Sequence, residues 1–392
     1  MVVQATSRIR IASKVQSAQL GTDLASALIV PNRAGLYTGG PTTTYGESLI
    51  ERGDFLGGTN TKTDFDLPFG WPIELMYPSP SQGEEGRICS LLKTTATAAT
   101  TQVTGATATH GGGLVVLSGG SGNVETGIEV GDIVRVRDGS DVLKDFATVT
   151  EVDTGAHTIT VALATITNIG NGSVDNKVFR GRRMKPGTTK TYTALEVASL
   201  DLPVYRRIRD WIPTSWSWGF RHGQNGIQGA WDGLGTAYAT PQGSAFSSSL
   251  VTETTTPIFT PKVSTTVLRY GVVDLRVMEM RAAMNHPAQA AKIATSLEAD
   301  DVVPGRINGG GSFRIYQTGS IYDAIVLAGS SAQLLIVFVA STGAAMSIAW
   351  PATKLTNLQV QAEGPMVTEP ITWQSELETT QDTSVRVTTY AA

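Results

Sequence analysis

Trp216, Trp218 and Phe220 alternate with Ser217 and Gly219, and Trp231 follows after a polar turn. Leu358, Val360 and Ala362 alternate in the same way with Gln359 and Gln361, and Trp373 follows. Each member of the second set lies 142 residues after its counterpart in the first (358−216, 360−218, 362−220, 373−231). Upstream, Tyr192 to Ala198 falls on Leu334 to Ala340 at the same spacing. Alternation of period two marks a half-buried strand, and a slip of one residue would turn every side chain to the other face. Two hairpins that keep one phase for this long predict a duplicated β fold.

The chain has 392 residues, enough for two or three domains at about 150 residues each. Hydrophobic residues make up 41%, ample for real cores, but charged residues only 16%, against about 25% in typical soluble domains. Thr, Ser and Gly fill the difference, which suits strands and turns. A surface so poor in charge is expected to be covered by neighbouring subunits. The net charge of −4 argues against a protein that grips nucleic acid, which needs a basic face. One basic cluster exists: Arg180, Arg182, Arg183, Lys185 and Lys190, with Arg206, Arg207 and Arg209 further on. It is expected to form a solvated or subunit-pairing face.

Cys89 is the single cysteine, which excludes an intrachain disulfide and a cysteine-built metal site. The start, Met1-Val2-Val3-Gln4, has no basic-then-apolar signal segment. Ala324 to Thr353 carries no charge, yet Gly329-Ser330-Ser331 and Ser341-Thr342-Gly343 divide it. The pieces are shorter than the roughly 20 apolar residues of a spanning helix, so no membrane insertion is expected. Leu334 to Val339 reads as a buried strand ending in a glycine turn.

The resulting fold class is mainly β: two tandem halves, each with a short flanking helix, plus a small inserted β-barrel. The first half takes 1–104 and 183–240, the insert 105–182, a linker 241–261 and the second half 262–392. Ile9, Ile11 and Val15 suggest an edge strand or an extended arm. Residues 31–60 read as a long loop whose Tyr45, Leu49, Ile50 and Phe55 need cover. A strand over Thr59 to Leu67 precedes a short helix opened by Trp71-Pro72, with Ile73, Leu75 and Met76 on its apolar side. The second half repeats the order: a strand over Ser312 to Gln317, then a helix from Ser320 to Leu327, with Ser320 as N-cap. In the insert, Gly131 to Val136, Ala147 to Val152 and Thr158 to Val161 alternate as short barrel strands. Thr265 to Arg281 suggests long strands, with a helix over Asp274 to Met284 as competitor. Alanines make Pro287 to Leu297 a predicted helix.

Candidate chemistry is sparse. There is no phosphate-cradling GxxxxGKS/T loop, no HExxH and no paired-cysteine zinc spacing. His110, His157, His222 and His286 are scattered, each expected to be structural or on the surface. Glu84/Glu85 and Asp300/Asp301 are adjacent acids of the kind glycosidases use, expected here to be solvated. Tryptophans on a strand can stack sugars, but the repeat sets Leu358 and Val360 against Trp216 and Trp218, which points to packing or an interface. No catalytic residue, cofactor or metal is expected, and a hydrolase with clustered carboxylates is the outlying alternative.

Several segments together carry a resemblance. They are Glu47-Ser48-Leu49-Ile50-Glu51-Arg52-Gly53-Asp54, the strands at 131–136 and 148–153, Lys190 to Glu196, and the closing hairpins at 211–234 and 354–377. The chain resembles the tail tube proteins of long-tailed bacteriophages, in particular the larger two-part kind. The resemblance implies a structural virion protein with no active site, assembled in the host cytoplasm. Its β-sandwich sheets would join side by side into rings that stack as a hollow tube for DNA ejection. Implied partners are further copies of itself, the tape measure, tail terminator and tail tip proteins, and passing double-stranded DNA without specific binding. If each half supplies one copy of the fold, three chains make a pseudo-sixfold ring; with one functional copy, six are needed. The loop bearing Tyr45, Glu47, Leu49, Ile50, Arg52, Asp54 and Phe55 would reach the next ring. The hairpins with Trp216, Trp218, Phe220, Trp231, Leu358, Val360 and Trp373 would pack or meet neighbours. The insert, on flexible linkers, would decorate the outside. A β-rich carbohydrate-binding module is the competing reading, and it requires Trp216 and Trp218 to be exposed.

Overall fold

Phe69, Trp71, Ile73, Leu75 and Tyr77 all turn inward, while Pro68 is exposed and Pro72, Glu74 and Met76 are partly so. That alternation makes a strand, so the chain runs on extended where a helix is expected at Trp71-Pro72. The computed structural model describes residues 9–16, 19, 28–30, 37–47, 60–78, 83–97, 103–120, 122–163, 169–246, 258–261, 266–271, 273–292, 296, 298–316, 321–358, 361–363, 366–379 and 381–392. The first repeat opens with β1 (Ile9–Val15), β2 (Leu28–Val30), β3 (Thr38–Gly39), β4 (Thr42–Glu47), β5 (Asn60–Glu74) and helix α1 (Gly83–Leu92). A closed barrel interrupts it, built from β6 (Val103–Gly111), β7 (Leu114–Ser118), β8 (Ile133–Arg137), β9 (Leu143–Asp153), β10 (Thr158–Ala162) and β11 (Asn176–Arg180). After β12 (Arg182–Met184), the repeat resumes with β13 (Thr193–Ser199), β14 (Val204–Arg221), β15 (Gln228–Gly235) and β16 (Ala237–Gln242).

The second repeat keeps this order. It runs β17 (Thr266–Tyr270), β18 (Val273–Asp274), β19 (Val277–Asn285), a hairpin of β20 (Ala288–Ala291) and β21 (Asp301–Pro304), then β22 (Asn308–Tyr316) and α2 (Ile321–Ala328). β23 (Ser331–Val339), β24 (Ala345–Leu358), β25 (Gln361–Glu363), β26 (Met366–Glu376) and β27 (Arg386–Tyr390) complete it. Pairing establishes the equivalence. β14 shifts register between Ile208 and Trp211 against β13, and between Pro213 and Ser215 against β15. β24 shifts between Trp350 and Thr353 against β23, and between Leu355 and Asn357 against β26. All four positions lie 142 residues from their counterparts. Coincident bulges are a conserved geometry of the strand, because each adds one unpaired residue and a local bend.

The neighbouring strands do not hold that spacing. Beside the shared bulges, Leu195 corresponds to Leu334 and Gly233 to Trp373, spacings of 139 and 140. Trp231, paired with Trp216, therefore corresponds to Ile371, paired with Leu358, and not to Trp373. Two other expectations change. Pro287 to Leu297 contains strand β20 where alanines suggest a helix, because pairing with β21 overrides propensity. Residues 38–47 of the expected long loop pair with β5 as β3 and β4. The strand reading of 277–285 holds against its helical competitor. Ser320, the expected N-cap, lies outside the described residues.

β19 joins the repeats, because it pairs with β22 of its own repeat and with β14 of the first. One core serves both. It contains all seven tryptophans, each at most 2% exposed. Trp216 stacks on Trp231 at 5.3 Å, and Trp218 of the first repeat meets Trp350 of the second at 6.4 Å.

The barrel is docked, not loosely tethered. Leu334, Ile336 and Phe338 enter the shared core, while Leu335 and Val337 turn the other way and meet Ile133 and Phe146 of the barrel. β23 is thus buried on both faces, which explains its unbroken apolar run. Two buried barrel acids complete the contact. Asp132 accepts from Arg183 at 2.7 Å and from Arg386 at 2.8 Å, and Asp145 accepts from Arg269 at 2.8 Å. The Tyr390 hydroxyl donates to Ile133 O at 2.7 Å, and burial pushes its pKa up.

Candidate assembly interface

Strand edges are the feature most open to a partner. Along one side of β14 lies β13 as far as Trp211, and then β19 takes over from Ser215 to Arg221. Along the matching side of β24 lies β23 as far as Lys354. Beyond that, no strand among the described residues takes the position that β19 holds beside β14. β3 and β4, the counterparts of β19, pair with β5 on one side, and no described strand covers the other. Thr38, Gly39, Pro41 and Thr42 on one edge, and Thr356 and Asn357 on the other, are exposed. Unpaired N–H and C=O groups along such edges are templates for further pairing.

The sheet face turned away from the core is open and carries short side chains at its middle, with polar ones at its rim. Between β14, β19 and β22 it forms an open trough of about 600 Å³, whose lining includes Ser217, Gly219, Ala283 and Gly310. Arg281, at its rim, pairs with Glu279 at 3.0 Å. No nucleophile–base pair converges there. Among the described residues, no group of three or more His, Cys, Asp or Glu is arranged to hold a metal ion.

The hairpin residues singled out by sequence are interior. Trp216 and Trp231 are 0% exposed, Trp218 and Trp373 2%, and Phe220 8%. That burial removes the aromatic platform a sugar-binding site needs. Leu358 ends β24, and Val360 lies outside the described residues. Of the loop residues, Tyr45 and Glu47 belong to β4, opposite Lys62 and Asn60. Leu49, Ile50, Arg52, Asp54 and Phe55 lie outside the described residues.

Asp300 is exposed, as expected, but much of the other charge expected on the surface is consumed inside the chain. Arg182 grips Glu85 with two bonds of 3.0 and 2.7 Å, Arg183 and Lys185 share Glu129, and Lys190 pairs with Asp301. Glu84 is buried, bound to Arg87 and to the Trp231 indole N–H at 2.9 Å. Both acids sit in the first turn of α1, where the helix dipole favours them. The Glu84–Arg87 ion pair lies within α1, and it is the Trp231 indole bond to Glu84 that ties the helix to β15. Burial also pushes the Cys89 thiol up to about 12, so it is inert. Sequence reasoning missed the open edges; the signal was Pro41, a residue confined in sheets to edges, strand starts and bulges. No protein-family model matches the chain, and no curated protein matches it in sequence.

Proposed function

We propose that the chain is a structural subunit of a phage-type tail tube. Copies join edge to edge into a ring, three chains supply its six repeats, and rings stack into a hollow conduit for double-stranded DNA. The observation that carries this reading is the junction of β14 with β19, which joins two copies of one fold through seven paired positions. The same two kinds of edge stay open among the described residues elsewhere in the chain. A head-to-tail contact of this kind closes into a ring when the rotation per repeat permits. The open sheet face supports a lumen. Ser217, Gly219, Ala283 and Gly310 carry no charge, and of the two arginines in its lining Arg281 is paired with Glu279, which leaves Arg221 as one isolated cation and no basic patch of the kind that grips phosphates. Tape measure, terminator and tip proteins are the partners this role calls for, and the virion is its location.

Negative-stain electron microscopy of the concentrated chain tests the reading. The expected outcome is stacked rings or striated hollow tubes, with ring averages containing three chains. Particles without a central hole at every concentration, alone and with a preformed tail tip added as nucleus, would count against it.

A further inference from the structure

Resting on the ring reading, we infer that β3–β4 of one chain pairs with the end of β24 and β25 of the next chain in a fixed register, with Thr42 opposite Asn357 and Thr38 opposite Gln361. The template is the junction inside the chain. There Asn285 lies opposite Ser215, and Arg281 opposite Gly219. Each of these four positions has a counterpart fixed by the repeat. Against β5 and β22, which correspond at Phe69 and Gly311, Gly39 matches Ala282 and Thr42 matches Asn285. Along the long strands, Ser215 matches Asn357 and Gly219 matches Gln361 at the spacing set by the coincident bulges. Carrying the internal pairing over gives the register with no adjustable offset.

Hydrogen-bond direction agrees from both sides. The Gly40 N–H donates to Pro68 O at 2.9 Å, so alternation turns Gly39 and Pro41 toward the open edge and Thr38 and Thr42 away from it. Thr42 and Asn357 then form a non-hydrogen-bonded pair. Their template does the same, because His286 N donates to Thr214 O and His222 N to Met278 O on either side of it. Pro41 would meet Leu358 in a bonded pair. It cannot donate, but its carbonyl can still accept from the Leu358 N–H, so the seam has one bond fewer at this position than a full ladder.

A cross-strand disulfide tests the register, since non-hydrogen-bonded antiparallel pairs lie about 4.5 Å apart at Cα, within disulfide reach. Cys89, the sole native cysteine, is buried and stays in place. Thr42→Cys with Asn357→Cys, oxidised in the assembled state, is expected to give covalent species ending at three chains on a non-reducing gel. Each single variant should stay monomeric there. Thr43→Cys with Asn357→Cys, one residue out of register, should cross-link roughly ten-fold less. If rings form by microscopy but the in-register pair cross-links no better than the slipped pair, the register is wrong and the ring reading stands. A ladder ending at six chains overturns closure by three. If neither the wild-type chain nor any variant forms rings, the ring reading falls and the register with it.

Discussion

His286 stands at the turn out of β19, 2% exposed, with its backbone N–H bound to Thr214 O at 2.9 Å. Burial, reinforced by nearby Lys93, lowers its pKa from 6.5 to about 4. The folded chain therefore keeps the ring neutral over a range in which the unfolded chain protonates it. Its contribution is present in full above about pH 6.5 and is lost as pH falls toward 4, at most about 3 kcal/mol. Denaturation midpoints measured between pH 7 and 4 should fall less steeply for His286→Gln than for the native chain; equal slopes would refute the assignment. At the same scale, the repeats solve one packing problem in opposite ways. Phe69 faces Gly233 in the first, and Gly311 faces Trp373 in the second. A Cβ on Gly233 would run into Trp211, and one on Gly311 into the Arg281 carbonyl. The sequence invites a match of Trp231 with Trp373, because identical residues draw the eye and exchanged volumes do not.

Asp132 sits just before β8 and holds Arg183 of β12 and Arg386 of β27, both buried. Asp132→Ala would leave two buried guanidinium groups without their main anion, a loss of about 3–5 kcal/mol. Lys144→Ala, at a more exposed pair with Asp138, should leave the thermal midpoint nearly unchanged. A similar small shift in both variants would mean that the barrel contact contributes little. The elements themselves were legible to different degrees. β14 and β24 were readable because a long strand keeps strict phase and both bulges fall alike. The flanking strands were not, since turns of different length slip them by two or three residues without changing composition. β23 was readable as buried from its apolar run, but the second layer that buries it is a contact of high sequence separation. The internal fate of Arg182, Arg183 and Glu85 was hidden for the same reason: charge along a chain does not reveal which partner folds onto it.

The whole molecule is closed twice over. The barrel is inserted between α1 and β13 of the first repeat, yet it docks on β17, β23, β24 and β27 of the second. With the β14–β19 pairing and the shared tryptophan core, no repeat has a core of its own to keep. The barrel has a core of its own, so calorimetry on the dissociated chain should show the two repeats unfolding in one transition; separate transitions for the two repeats would contradict the shared core. In the proposed ring, the barrel's insertion point would also determine how load passes from repeat to repeat. Inside a chain, tension between repeats is borne along two parallel routes, the paired strands and the barrel clasp. Between chains, the proposed seam would rest on the paired strands, with Pro41 withholding one of their bonds. A ring built on that seam would part between molecules before it tore one in half, and could be rebuilt from its fragments.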